Sequence, residues 1–251
     1  KQRWMAPPNG SRITVQSDRD WTFPNGAVLV KNFERNGTLI ETRLFMRHPD
    51  TGNWGGYTYR WNAGQTDATL VSGGLVTTAG GGPWTFPSEG QCLQCHSNAA
   101  GRSLSLETRQ LNSSFTYPQT GRTANQLTTL ETIGMFASAL TVQPAYPNPT
   151  DTSQSLANRA RSYLHTNCSS CHRPSGGTPV NMDLRFSTAI GSTATCNATP
   201  PSGDLGVSGS RIILPGDASR SVLYLRMSRR DSTQMPPVGS HQVDTQGAAL
   251  L

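Results

Sequence analysis

Two short runs, CLQCH at 92–96 and CSSCH at 168–172, constrain this chain more than anything else in it. In each, two cysteines stand three apart and a histidine follows the second directly. On a helix that spacing puts both sulfurs on one face, one turn apart. A single CxxC is compatible with a redox-active thiol pair. Two together are compatible with a four-thiolate zinc centre. Neither alternative uses a histidine after both pairs, because four thiolates already complete a tetrahedral zinc site. Covalent haem uses all six residues. The thiols add to the two vinyl groups of one ring, and the adjacent imidazole donates a nitrogen to iron. The spacing therefore predicts two haem c groups, held by Cys92 and Cys95 and by Cys168 and Cys171, with His96 and His172 as axial iron ligands.

Such an attachment is made outside the cytoplasm, so the expected location is periplasmic or extracellular. A first residue of Lys1 in place of Met fits a processed chain or a fragment. The ending GAALL reads as the opening of a last helix, and no apolar run reaches the length of a membrane span. Cys196, the odd fifth cysteine, reads as a free, buried structural thiol. The net charge of +6 raises the question of nucleic acid. The arginines, however, are scattered, with Arg229 and Arg230 the one adjacent pair, and no basic run interleaves with aromatics. That pattern argues against a nucleic-acid interface. The carboxylates of two haems would bring the balance down to about +2, so part of the basicity matches a cofactor.

Short β-branched or aromatic runs at 13–15, 27–33, 39–46, 57–61 and 69–71 alternate with turn signals such as Pro24-Asn25-Gly26 and Asn36-Gly37. They predict an N-terminal all-β domain of sandwich or barrel type. Residues 73–90, with the glycine run at 80–82, read as a linker or long loop. Helical spacing follows at 127–137, at 156–164 behind a possible Ser153 cap, and at 222–227. The tract PAYPNP at 144–149 reads as a boundary. The expected architecture is α+β: a β-rich domain at 1–85, then two mainly α-helical haem units at 86–150 and 151–251. A hydrophobic fraction of 34% with Gly 25 and Pro 17 implies short elements and many loops, with a cofactor supplying part of the core.

Each iron also has a sixth position. Met235, in QMPP, is the candidate at the second motif, because two prolines fix an extended loop that can hold a thioether rigidly. Met182 and Met227 are the fallbacks there, Met227 in a helical stretch that suits packing. At the first motif Met135 is the candidate, as the methionine lying between the two motifs. His48 and an open site are the alternatives. His165, three residues before Cys168, points poorly for its own ring and reads as a packing or surface residue.

The chain resembles a family of bacterial dihaem c-type cytochromes with an N-terminal β domain. The resemblance is carried by KQRW at 1–4, WTFPNGAVLVK at 21–31, ETRL at 41–44, GGYTYRWNAGQTDATL at 55–70, WTFPSEGQCLQCH at 84–96, ARSYLHTNCSSCHRP at 160–174, ILPGDASRSVLYLRM at 213–227 and QMPP at 234–237. It spans most of the chain. It implies two covalent haems at the motif residues and supports Met235 as a ligand. The second half, with CSSCH, a helical middle and MPP, also resembles class I cytochromes c, so both haem units are expected to be cytochrome c-like. Cytochrome domains attached to or partnered with periplasmic dehydrogenases look similar.

The leading expectation is an electron carrier working between redox partner proteins, or with copies of itself in a haem array. The rival is a dihaem enzyme of peroxidase or oxygenase type, with one replaceable sixth ligand and an acid–base group drawn from Glu107, Glu131, Arg102 or Arg109. In a third reading the β domain binds a polymer or a surface, and an exposed row among Trp4, Trp21, Trp54, Trp61 and Trp84 would mark it.

Overall fold

The computed structural model describes every residue of the chain except Lys1, Asp18, Arg19, Ser105 and Val142. In chain order, the strands before the first motif are β1 (Gln2–Ala6), β2 (Thr14–Val15), β3 (Trp21–Thr22), β4 (Val28–Arg35), β5 (Thr38–Arg47), β6 (Trp54–Trp61), β7 (Ala68–Leu70), β8 (Leu75–Ala79) and β9 (Gly82–Phe86). Five of them form one antiparallel sheet in the order β1-β4-β5-β6-β7. Asn36 and Gly37, at φ 53 and 76, make the tight turn between β4 and β5 that their sequence announces. Among the described residues the expected barrel does not close. The sheet is open, with β1 and β7 as its edges.

Register decides which residues share a face. Met5, Leu29, Phe45 and Gly56 form one row across the sheet. Lys31, Arg43 and Thr58 form the next, and Phe33, Glu41 and Arg60 the one after. A bulge at Phe33/Glu34 produces this register. Ile13, Trp21, Phe23, Ala27, Leu127 and Phe136 make a buried cluster, against which Met5, Leu29 and Trp54 of the sheet pack. Trp21 meets Phe136 edge to face with centroids 4.9 Å apart, and its indole N–H donates to Thr108 Oγ1 at 3.2 Å. Burial of side chains of this size contributes about 1.5–3 kcal/mol each.

The helices are α1 (Glu89–Cys95), α2 (Thr108–Leu111), α3 (Gln126–Thr132), α4 (Leu156–Cys168), α5 (Val222–Met227) and α6 (Thr245–Ala248), and a small hairpin of β10 (Ser114–Thr116) and β11 (Thr123–Asn125) precedes α3. The longest, α4, has 13 residues. This overturns the α+β expectation of two mainly helical, cytochrome c-like haem units: the protein is mostly β and irregular. The cause is backbone chemistry. The helix expected over 127–137 stops at Thr132, because Gly134 takes the left-handed conformation at φ 75. Between α4 and α5 the described chain contains no α-helix, and Pro174, Pro179, Pro200, Pro201 and Pro215 punctuate that stretch. The expected linker at 73–90 instead holds β8, β9 and the start of α1. No described helix is long and apolar enough to cross a membrane.

The chain divides into two compact units. One comprises residues 1–82, 86–96 and 101–146. The other comprises 83–85, 97–100 and 147–251. The second is cored by Leu164, Leu184, Ile212, Val222, Met227 and Leu250.

Candidate functional site

The first motif rides on α1. Ser88 Oγ accepts the Gln91 N–H at 3.3 Å while Gln91 Oε1 accepts the Ser88 N–H at 2.9 Å, a reciprocal cap that fixes where the helix begins. The helix sits directly on β6. A Cβ at Gly56 would lie 2.8 Å from Cys92 Cβ and 2.9 Å from its Sγ, so glycine is what permits this approach. Thr58 Oγ1 donates to the Pro87 carbonyl at 2.9 Å and ties the entry to the helix onto the same strand. Cys92 and Cys95 are half-buried, in no disulfide, and one turn apart. Burial raises the Cys92 thiol above its usual pKa; Arg43 opposes this, while Glu41 and Glu89 add to it.

His96 caps the C-terminus of α1, its N–H on the Cys92 carbonyl at 3.0 Å, and its ψ of 66 turns the chain out of the helix. Its Nδ1 lies 2.6 Å from the Arg102 carbonyl oxygen. A carbonyl can only accept, so Nδ1 carries the proton and Nε2 keeps its lone pair. The Arg102 guanidinium donates back to the His96 carbonyl at 2.6 Å. This clasp depends on Gly101 and Arg102, both left-handed at φ 61 and 66. The imidazole stacks on Phe45 with centroids 3.9 Å apart. Burial brings its pKa down to about 4; the bond to the Arg102 carbonyl resists, and the Arg43, Lys31 and Arg102 cations add to the fall. At neutral pH His96 is therefore a neutral imidazole of fixed tautomer, the form a metal requires.

The second motif begins where α4 ends. Cys168 is the last helical residue, and its carbonyl accepts the N–H groups of Cys171 (3.2 Å) and His172 (2.9 Å). The His172 carbonyl in turn accepts the Leu184 N–H at 2.9 Å. A Cβ on Gly176 would lie 2.0 Å from the Cys171 carbonyl oxygen, so the glycine of HRPSGG lets the loop fold back on the motif. Arg173, buried, donates from Nε to the Ser169 carbonyl (2.7 Å) and from its guanidinium to the Ala99 carbonyl (2.9 Å). Ser97 Oγ donates to the Ser170 carbonyl at 2.7 Å. Burial pushes the Cys168 thiol up to about 12, with Cys171 contributing, and it lowers the pKa of His172. The His172 Nδ1 is buried and makes no hydrogen bond.

The remaining candidates are spread through the fold. Met235 is half-buried in the stretch after α5, its N–H on the Arg226 carbonyl at 2.9 Å. Met227 is buried on α5, and Met182 is half-buried, its N–H on the Val180 carbonyl. Met135 packs against the cluster around Trp21, and its carbonyl accepts the Ile13 N–H at 2.8 Å. His48 Nε2 is hydrogen-bonded to the Tyr57 hydroxyl at 2.9 Å. His165 is buried, its Nδ1 accepting the Phe186 N–H at 3.1 Å, which is a packing role. Cys196 is exposed, contrary to the buried thiol expected of it.

Of the acid–base candidates, Glu107 is buried and takes hydrogen bonds from the Tyr146 hydroxyl and from Gln110 (3.0 Å). Glu131 accepts the Leu140 N–H at 2.8 Å, and Arg109 donates to the Pro144 carbonyl at 2.8 Å. The tryptophans make no exposed row: Trp4 is 45% exposed, Trp21 is wholly buried, and Trp54 stacks on Phe45. No group of three or more His, Cys, Asp or Glu among the described residues is arranged to hold a metal ion.

The sequence gives no hint of one part of the first site, namely the charged residues Lys31, Glu41 and Arg43 on the sheet face that bears α1. The NG turn sets a register, but only the bulge beyond it turns these residues inward. Comparison with protein-family models, with curated proteins and with solved structures finds no significant match to the chain.

Proposed function

We propose that this chain is an exported electron-transfer protein holding two covalently attached haems, at Cys92, Cys95 and His96 and at Cys168, Cys171 and His172. The observation that carries the reading is the state of His96. It is neutral, it is proton-bearing at Nδ1 through the Arg102 carbonyl, and it directly follows a helix with two thiols on one face. A ligand imidazole needs this support on its outer nitrogen. The second motif carries the same residue types, and burial lowers the pKa of His172, but its buried Nδ1 makes no hydrogen bond and so lacks the support that His96 has.

When bound, each haem supplies a one-electron couple at iron. The chain's own residues do the rest. Arg102 fixes the imidazole of His96, burial keeps both motif histidines neutral, and Ser97, directly after His96, is anchored on Ser170 between the second pair of cysteines. Met235 is the candidate sixth ligand at the second centre and Met135 at the first. Donor and acceptor proteins are the partners this reading requires.

The test is intact mass and haemochrome spectroscopy of protein matured through an export pathway. Two haems per chain are expected, and one after replacement of Cys92 and Cys95 by alanine. A chain that matures with no haem refutes the proposal. Met235→Ala should remove a methionine–iron band from the oxidised spectrum. Carbon monoxide binding by the reduced protein would move the reading from carrier to enzyme.

A further inference from the structure

On the sheet face beneath α1, burial and charge are the reverse of what a strand inside a protein ordinarily shows. In β5, Glu41 and Arg43 face the same side as Phe45, while Thr42, Leu44 and Met46 face the other. A shift of one residue would exchange the two sets. The bulge at Phe33/Glu34 holds the register that puts the charges in.

Glu41 is 0% exposed and bonds Arg43 twice, at 2.5 and 2.9 Å; the Arg43 side chain remains 31% exposed. Lys31 is the register partner of Arg43. Both cations lie over the Phe33 ring, Lys31 Nζ 4.7 Å and Arg43 Cζ 4.5 Å from its centroid. A buried ion pair seldom stabilises a fold more than apolar residues of the same size would, so stability alone does not account for this arrangement. Its position does suggest a role. One row along the strands, about 7 Å away, is the row of Phe45 and Gly56. Phe45 stacks on His96, and Gly56 receives Cys92. The two cations therefore stand within a ring's width of the point where the first motif meets the sheet.

We propose that Lys31 and Arg43 form the carboxylate-binding subsite of the haem attached at CLQCH, with Glu41 positioning the Arg43 guanidinium toward it. The proposal rests on the haem reading above. A tetrapyrrole with two carboxylates is the ligand class that fits two cations flanking an aromatic ring beside an imidazole and two thiols. The guanidinium offers a planar fork to one carboxylate, and the ammonium a point charge to the other.

The test uses the mature two-haem protein. Lys31→Gln removes one cation and strands no buried carboxylate. The pair Glu41→Gln with Arg43→Gln removes the second without leaving Glu41 unpaired. The readouts are haem content by mass, far-UV circular dichroism, and the two midpoint potentials by spectroelectrochemical titration. With both haems attached and the fold intact, one midpoint should fall and the other stay. The fall expected for Lys31→Gln is about tenfold in the one-electron equilibrium, 59 mV; the pair variant loses an anion with its cation, so its fall should be smaller. A lost cation no longer opposes the positive charge gained on oxidation. Arg43→Lys should restore most of the shift. An unchanged midpoint in folded Lys31→Gln would overturn the subsite while leaving the haem reading standing. Absence of haem from the parent protein would overturn both.

Discussion

At Gly56 a single hydrogen in place of a methyl group decides whether α1 can lie on the sheet. Gly56→Ala would set a Cβ 2.8 Å from Cys92 and so push the helix off its strand. A loss of about 1–3 kcal/mol is expected, the usual cost of overpacking. Gly73→Ala, with open space around the new methyl, should be close to neutral. Urea unfolding of the two variants checks the contrast. Charge at single residues is as specific. Burial opposes ionisation of Asp183, yet bonds from Arg185 and Thr188 outweigh it and hold its pKa at about 2, below the ordinary 3.8. The folded state therefore binds its proton less readily than the unfolded chain. Its stabilising share is complete above pH 3.8 and is lost as pH falls through 2. Thermal melts should show Asp183→Asn lowering Tm at pH 6 and flattening the decline between pH 4 and 2.

For an element such as α1, with seven residues, propensity alone is too weak to hold the helix, and the cap carries much of its stability. Ser88→Ala should cost about 1 kcal/mol. It should also raise amide exchange at Cys92 relative to α4, whose cap is separate. Sequence patterns locate most elements and err at their ends. Strands β4 to β7 and their NG turn follow from alternation and turn chemistry. α4 begins at Leu156 as expected, but its cap is Ser155 in place of Ser153, because Asp151 takes the Ser153 hydroxyl and N–H. β1 escapes notice since Gln2–Ala6 is mostly exposed and lacks β-branched residues. The motif residues are readable because each CxxCH run is contiguous in the sequence. Lys31, Glu41 and Arg43 are not, because a bulge changes which face a residue occupies and leaves no trace in composition.

At the scale of the molecule, CxxCH suggested helical units, yet the thiols of the first motif are seated on a β-sheet. A five-residue motif says little about the fold that surrounds it. Nor does contiguity in sequence mark the units: residues 97–100 belong with the last hundred, held there by Ser97 on Ser170 and by Arg173 on Ala99. A chain of residues 147–251 alone lacks both contacts, so it should unfold at lower urea than the same region does in the whole protein, as exchange protection on α4 would report. The seat of Cys92 against Gly56 has a consequence in time. Burial keeps that thiol protonated and poor as a nucleophile while the helix is docked. On the proposed reading, the cysteines of CLQCH must react while α1 still stands away from β6. On that reading maturation would run in one direction, with modification of the chain before α1 settles on β6, and a chain that closed early would be a dead end for assembly.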